Sequence, residues 1–454
     1  MSLRFLLGPA GSGKTRRCFD EIVAALREDP RDGPPLYFLV PEQATFQTER
    51  ALLERDERVA AVSRARAVSF KRLAYLALER EGPLSRPFIG EQGRLLALMV
   101  AVKREQGELE AYGRTAETEG FVERLALTLQ ELKAYRRDAD SLAGARERLA
   151  ASGDPGADLL AAKLADLERI YRRYEALISG KFRDGEDALA LAARAIREGG
   201  FAAGAHVWVD GFAGFTPQEY ELLGSLLAKA HRVTVALCLD PSRGPSSVWA
   251  WDEGPADGLF HLTRETLVLL RELAVENGVV VEEPVLLGRA PHDVEPRFVA
   301  APLLGRMEKA LVESEGALYP VSPAGEGPLA PGGRNEGPPA ADGRDEMSPA
   351  AQGRPGGSGK PGEPGGPPAC SVLEAPDRAG EVEAAAKTIA RLVREKGYRY
   401  SDIAVVVRSL DPYHTLVENV FRAWDIPFFI DQKAPAIHHP LVLFVEAALD
   451  VLAA

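Results

Sequence analysis

An α/β fold built on a parallel sheet is what the sequence predicts, on three observations. Apolar runs at residues 3–7 and 36–40 are each followed by turn residues and then a helical repeat, the pattern of strands buried on both faces. Similar runs return at 207–209 and 233–239. Between them, from about 90 to 199, the strand signal vanishes and helical spacing replaces it.

Each element follows in order. The first run ends in a glycine loop that opens a helix, and the second leads through Pro41 into another helical pattern. Val122, Leu125, Leu129 and Leu132 keep the spacing of one helix face, as do Leu160, Leu164, Leu167, Tyr171, Tyr174 and Ile178 after a turn at 153–156. A further helix opens near Pro217, since proline suits a first turn. Residues 323–369 are about half Gly and Pro, with a loose repeat that sets Arg334, Arg344 and Arg354 in register. That composition cannot bury enough surface to offset its ordering entropy, so a disordered linker is expected. Beyond it, 381–395 reads as a helix, 403–407 as a strand, 413–424 as a helix, 428–430 as a strand and 441–453 as an apolar helix. The expected organisation is an NTPase-type domain in two parts (1–89 and 200–318) around an all-helical insertion (90–199). A Gly/Pro-rich linker (319–370) and an incomplete second α/β domain (371–454) follow.

The 454 residues are 46% hydrophobic and 27% charged, which excludes a wholly disordered or fibrous chain. No apolar run of about 18 residues predicts a membrane span, and the short apolar N-terminal stretch does not read as a signal peptide. Cys18, Cys238 and Cys370 form no C-x-x-C pair, so neither a disulfide framework nor a metal knuckle is expected, and a cytoplasmic setting fits. A net charge of −12 argues against a uniformly basic nucleic-acid coat while leaving room for a local basic channel.

The loop Gly8, Pro9, Ala10, Gly11, Ser12, Gly13, Lys14, Thr15 matches the phosphate-loop pattern and stands between a strand and a helix, as that pattern requires. Its glycines let backbone N–H groups turn toward phosphate oxygens. Lys14 is expected to reach the β- and γ-phosphates of ATP, and the Thr15 hydroxyl to ligate Mg²⁺. Asp210, closing the run 207–209, is the expected second Mg²⁺ group, against the alternative of a simple strand-end turn residue. Motor NTPases often follow such an aspartate with a glutamate that activates water; here Gly211 follows, and Glu219 lies on the next helix. Nucleotide binding is therefore better supported than hydrolysis.

Together, GPAGSGKT, FLVPEQATFQTE (38–49), AVSFKRLA (67–74), VWVDGFAGFTPQE (207–219), the stretch 381–408 and IPFFID (426–431) resemble the N-terminal part of AddB. AddB is one of the two subunits of the bacterial AddAB helicase–nuclease and a relative of UvrD-type helicases. The resemblance implies two RecA-like domains, an ATP site on a decayed motor, a grip on single-stranded DNA, Chi recognition, and an AddA-like partner at DNA double-strand breaks. It also implies a nuclease domain with a 4Fe–4S cluster, which these residues are not expected to carry, and it places Arg408 where related helicases present an arginine to the γ-phosphate. A surface arginine is the alternative.

The same resemblance puts DNA-contacting loops at Gln43 and Thr45, and at Phe70, Lys71, Arg72 and Tyr75, with Phe212 beside the nucleotide. Their chemistry suits strand binding, with amide and hydroxyl groups for base edges, rings for stacking and cations for phosphates. Arg64 and Arg66 add charge nearby. Each aromatic alone reads as core rather than as a stacking platform; the interleaving with cations and the resemblance reverse that for Phe70 and Arg72. His438 and His439 suggest a metal, but no partner at ligand spacing supports one. Two other classes stay open: a scaffold that uses nucleotide structurally, and an autonomous phosphotransferase.

Overall fold

The computed structural model describes residues 1–29, 33–54, 64–81, 86–118, 120–152, 157–239, 258–288, 298, 301–313 and 370–430. The chain divides into two compact units, 1–363 and 364–454.

The first unit is built on an entirely parallel sheet of β1 (Ser2–Gly8), β2 (Leu36–Leu39), β3 (Ala65–Val68), β4 (His206–Val209), β5 (Arg232–Cys238), β6 (Val280–Val281) and β7 (Val285–Leu286). The order is β3-β2-β4-β5-β1-β6, and β7 also pairs with β1. Period-two alternation sorts the β1 side chains. Leu3, Phe5 and Leu7 enter one core, shared with α3 (Phe70–Glu81), α8 (Ala188–Glu198), α9 (Pro217–Leu227) and α10 (His261–Glu276). Leu6 enters the other, shared with α1 (Lys14–Glu28) and α2 (Thr45–Glu54). Burial on both faces is why the strands read as continuous apolar runs.

The stretch 91–178 supplies α4 (Glu91–Glu105), α5 (Phe121–Ala134), α6 (Ala139–Ser152) and α7 (Ala157–Ile178). Their core holds Leu98, Leu125, Leu129, Ile170, Tyr171 and Tyr174. Asp166, buried on α7, accepts backbone N–H bonds from Glu110, Ala111 and Tyr112 at 3.0, 2.8 and 2.8 Å, pinning the loop after α4. α8 also lies within 90–199, yet Leu189, Ala192 and Ile196 belong to the sheet core. An apolar repeat announces a buried face without saying which core buries it.

A charged knot joins helices to sheet. Buried Lys133 on α5 meets Asp187 at 3.0 Å and Asp184 at 3.4 Å, and its carbonyl accepts a 2.8 Å bond from Gln218 of α9. Burial alone would lower the Lys133 pKa, but the charges of Asp184 and Asp187 outweigh it and hold the ammonium ionised.

α11 (Pro302–Glu313) closes the described part of this unit. The second unit packs α12 (Arg378–Lys396) on α13 (His414–Ala423) through Val382, Ala386, Ile389 and Phe421. Asp377 caps α12 by accepting the Gly380 N–H at 2.7 Å. Among the described residues, the strands expected at 403–407 and 428–430 are not formed, and Val406 is 89% exposed. A strand needs a neighbour for its ladder, and no described residue pairs with either segment. The turn at 153–156, the linker 323–369, the apolar stretch 441–453 and His438-His439 lie outside the described residues.

Candidate functional site

Because every described strand is parallel, their carboxyl ends share one edge of the sheet, where α/β proteins place their ligands. The glycine loop runs from the end of β1 into α1, with Gly11 at φ 84° and Gly13 at φ 92°. Both values lie in the left-handed region where glycine is unstrained. A Cβ on Gly8 would sit 2.2 Å from the Leu287 carbonyl oxygen, so glycine is required there by packing as well. Lys14 Nζ donates to the Gly8 and Pro9 carbonyl oxygens at 2.7 and 2.8 Å. The loop thus holds its own ammonium in place at the positive end of α1, whose first turn carries no acidic residue.

Asp210 follows β4 at the same edge, only 9% exposed, its N–H bonded to the Leu39 carbonyl at 3.0 Å. Burial raises the Cys18 thiol pKa well above its ordinary value, with the Asp210 charge the next cause, so the carboxylate lies close to α1. Burial likewise raises Cys238 at the end of β5, opposed by the Lys14 charge. Strand β5 lies between the strand of the glycine loop and the strand of Asp210.

The position after Asp210 is shaped for glycine. Gly211 has φ 86°, and a Cβ would meet the Pro41 ring at 3.0 Å. Glu219 is committed elsewhere: its carboxylate accepts the Thr216 N–H at 2.8 Å, while Thr216 caps α9.

A residue that sequence reasoning missed underpins this edge. Glu21 of α1 accepts bonds from Trp208 Nε1 at 3.0 Å and Arg17 Nε at 2.8 Å, and pairs with Arg4 of β1. Burial opposes its ionisation, yet the bonds from Trp208 and Arg4 hold the carboxyl below the usual range. Glu21 therefore ties α1 to β1 and to β4 two residues before Asp210. One carboxylate on a helix rich in charge looks like a solvated residue, so only the inward-facing Arg4 of β1 hinted at it.

The loops expected after β2 and β3 are helical: Gln43 sits in a 3-10 turn, Thr45 opens α2, and Lys71, Arg72 and Tyr75 lie in α3, while Phe212 follows Asp210 in a loop. Gln43, Lys71 and Arg72 are exposed, Thr45 and Phe212 are half-buried, and Tyr75 is 43% exposed with its ring edge-on to Phe88 at 5.4 Å. Phe70 departs from expectation. It is 5% exposed, packed edge-on against Phe212 and Phe215 at 5.4 and 5.7 Å, and so offers no open face to a base. Phe46, 72% exposed in the first turn of α2, does offer one. Arg64 turns inward to the carbonyls of Pro34 and Ala25 at 3.1 and 2.6 Å. Arg408 is exposed in the second unit, on the wall of a recess of about 590 Å³ with Arg378, Glu381 and Tyr413. The cysteines are free.

A family model described as "ADDB, N-terminal" matches residues 5–308, the span that holds the glycine loop, Asp210 and the loops around them. The chain belongs to the ADDB N-terminal family. Among its relatives is an ATP-dependent helicase/deoxyribonuclease subunit from Desulforudis audaxviator, 40% identical over 453 residues, covering 100% of this chain and 34% of the relative. The protein of the same name from Heliobacterium modesticaldum is also 40% identical, over 100% of this chain and 32% of its own length. That of Moorella thermoacetica is 39% identical over 100% and 34% respectively. The chain thus spans about a third of the length of these ADDB relatives. No helix among the described residues is long and apolar enough to cross a membrane.

Proposed function

We propose that the carboxyl edge of the sheet binds ATP with Mg²⁺, and that the chain is the RecA-like ATP- and single-strand-binding part of a DNA-break-processing helicase–nuclease subunit. The observation that carries this reading is the glycine loop itself, with Lys14 tethered on its carbonyls and buried Asp210 at the same edge. In it, Lys14 and the first N–H groups of α1 would bind the phosphates, and the Thr15 hydroxyl and Asp210 would hold the cation, which would supply neutralisation of phosphate charge.

The nucleotide serves as a binding ligand in this reading rather than as fuel. Gly211 and the capping role of Glu219 both support this, because neither position supplies a base for water. Lys71 and Arg72 would pair with strand phosphates. Phe46, Tyr75 and Phe212 are the stacking surfaces, with Gln43 and Thr45 as polar contacts, while Phe70 supports Phe212 from behind. The names of the relatives support a helicase–nuclease role as one subunit of an enzyme; a partner of AddA type, Chi recognition and a nucleoid-associated cytoplasmic setting are part of the proposal.

The test is ATP turnover by the purified chain, with and without a single-stranded oligonucleotide, beside the amount of nucleotide bound. Stoichiometric binding without turnover is expected. DNA-stimulated turnover would overturn the ligand role, and absence of binding would overturn the site.

A further inference from the structure

The amino edge of the sheet, opposite the glycine loop, carries a second recess. It encloses about 330 Å³ and is walled by Tyr37, Arg64, Arg66, Glu79, Arg80 and Phe201. These come from the starts of β2 and β3, the last turns of α3 and the turn before β4. Arg66 is the register partner of Tyr37 on β3, the outermost strand of the described sheet. The Tyr37 ring stacks on Phe201 at 5.3 Å and 20°, which fixes the floor.

The charges around this floor are mostly positive. Elsewhere arginines such as Arg50 and Arg194 pair with glutamates four residues on. Arg66 and Arg80 make no ion pair and no side-chain hydrogen bond with any described residue. Among the described residues they stay unpaired, although acidic residues outnumber basic ones, 67 to 55. Arg64, held by two carbonyls, adds a fixed positive charge, and Glu79 a single opposing carboxylate, so the wall is net positive. The Tyr37 hydroxyl also makes no hydrogen bond with a described residue. Burial raises its pKa against the pull of Arg80 and Arg66, so it remains a donor at neutral pH.

We infer that this recess is a phosphate-binding site, with the Arg66 and Arg80 guanidiniums pairing with phosphate oxygens and the Tyr37 hydroxyl donating to the same group. Guanidinium forks match phosphate geometry, and an aromatic floor excludes water from one side of the contact. The phosphate is either a link in a nucleic-acid backbone or a free anion of pyrophosphate type. The backbone form rests on the proposed DNA-handling role; the site itself does not. A backbone phosphate bound here would carry a strand past the sheet edge remote from the ATP loop.

The test compares the wild-type chain with R66A/R80A and Y37F. The arginines are exposed, so an unchanged melting temperature is expected and checks that the fold is intact. Binding of a fluorescein-labelled single-stranded oligonucleotide is followed by anisotropy across a salt series, with R72A in parallel. Pyrophosphate is titrated calorimetrically into the K14A chain, in which the glycine loop is silenced, with and without R66A/R80A. For a strand phosphate, R66A/R80A lowers the slope of log affinity against log salt by about 1.4, roughly 0.7 per contact, and Y37F weakens binding without changing the slope. For a free anion, the oligonucleotide curve stays put and the pyrophosphate heat disappears in K14A/R66A/R80A. If both are unchanged, the site is overturned. If R72A alone weakens the oligonucleotide, the DNA role stands and this recess is not part of it.

Discussion

Replacing Lys133 with methionine removes the charge from the knot between α5 and the sheet while nearly keeping its volume. Two of its carboxylates, on Asp187 and Glu175, are 46% and 44% exposed and can return to water. Asp184, 2% exposed, cannot. Stranding a buried charge costs about 3–5 kcal/mol. Asp184 keeps bonds from the Tyr174 hydroxyl at 2.8 Å and the Glu186 N–H at 3.1 Å, which places the loss at the lower end, about 3 kcal/mol. For a cooperative unit of 150–250 residues that is a fall in melting temperature of about 6–12 °C, read by circular dichroism at neutral pH. K133M/D184N should melt above K133M, because the stranded charge is gone. A fall of less than about 2 °C, or a double variant no better than K133M, would refute the claim that the pair closes this junction.

Other consequences are checked more briefly. Asp166→Ala removes the acceptor of three part-buried backbone N–H groups, a loss of about 1–3 kcal/mol in all, so the melt should drop; an unchanged melt would contradict the anchoring role. Gly211→Glu puts a side chain at φ 86° against Pro41, costing about 1–2 kcal/mol, and should not create ATP turnover. A gain of DNA-stimulated turnover would show that only the missing glutamate separates this chain from a motor. His206 stacks on His231 at 4.9 Å. Burial, then the charges of His231, Arg232, Arg64 and Arg4, lowers its pKa. The unfolded chain therefore takes up a proton near pH 6.5 that the folded chain refuses. Stability should fall as pH drops below that value and stay level above it. His206→Asn should shrink the difference in melting temperature between about pH 7.5 and about pH 5.5; an identical pH dependence would rule the imidazole out.

How far the sequence discloses this molecule depends on the kind of signal. The central strands were legible because burial on both faces leaves Leu3, Phe5, Leu6 and Leu7 adjacent in the chain. The glycine loop was legible because its chemistry needs those residue types in that order. Phe70 was not: a ring beside two cations reads the same whether it faces a base or packs on Phe212. Glu21 was hidden because its partners Arg4, Trp208 and Arg17 come from three elements, and only folding brings them together. Residues 403–407 carry strand composition, yet composition cannot provide the neighbouring strand a ladder needs. Glu219 shows the converse: a carboxylate that could have served catalysis is accounted for by a capping box readable from Thr216-Pro217-Gln218-Glu219.

The central claim is that the loop at residues 8–15 is a nucleotide site. Calorimetric titration of ATP with Mg²⁺ into the wild-type chain and into Lys14→Ala tests it most directly. One molecule of ATP bound per wild-type chain, with the heat lost in the variant and an unchanged melt, is the result expected. Equal affinity in the two proteins, or no heat in either, would contradict the account.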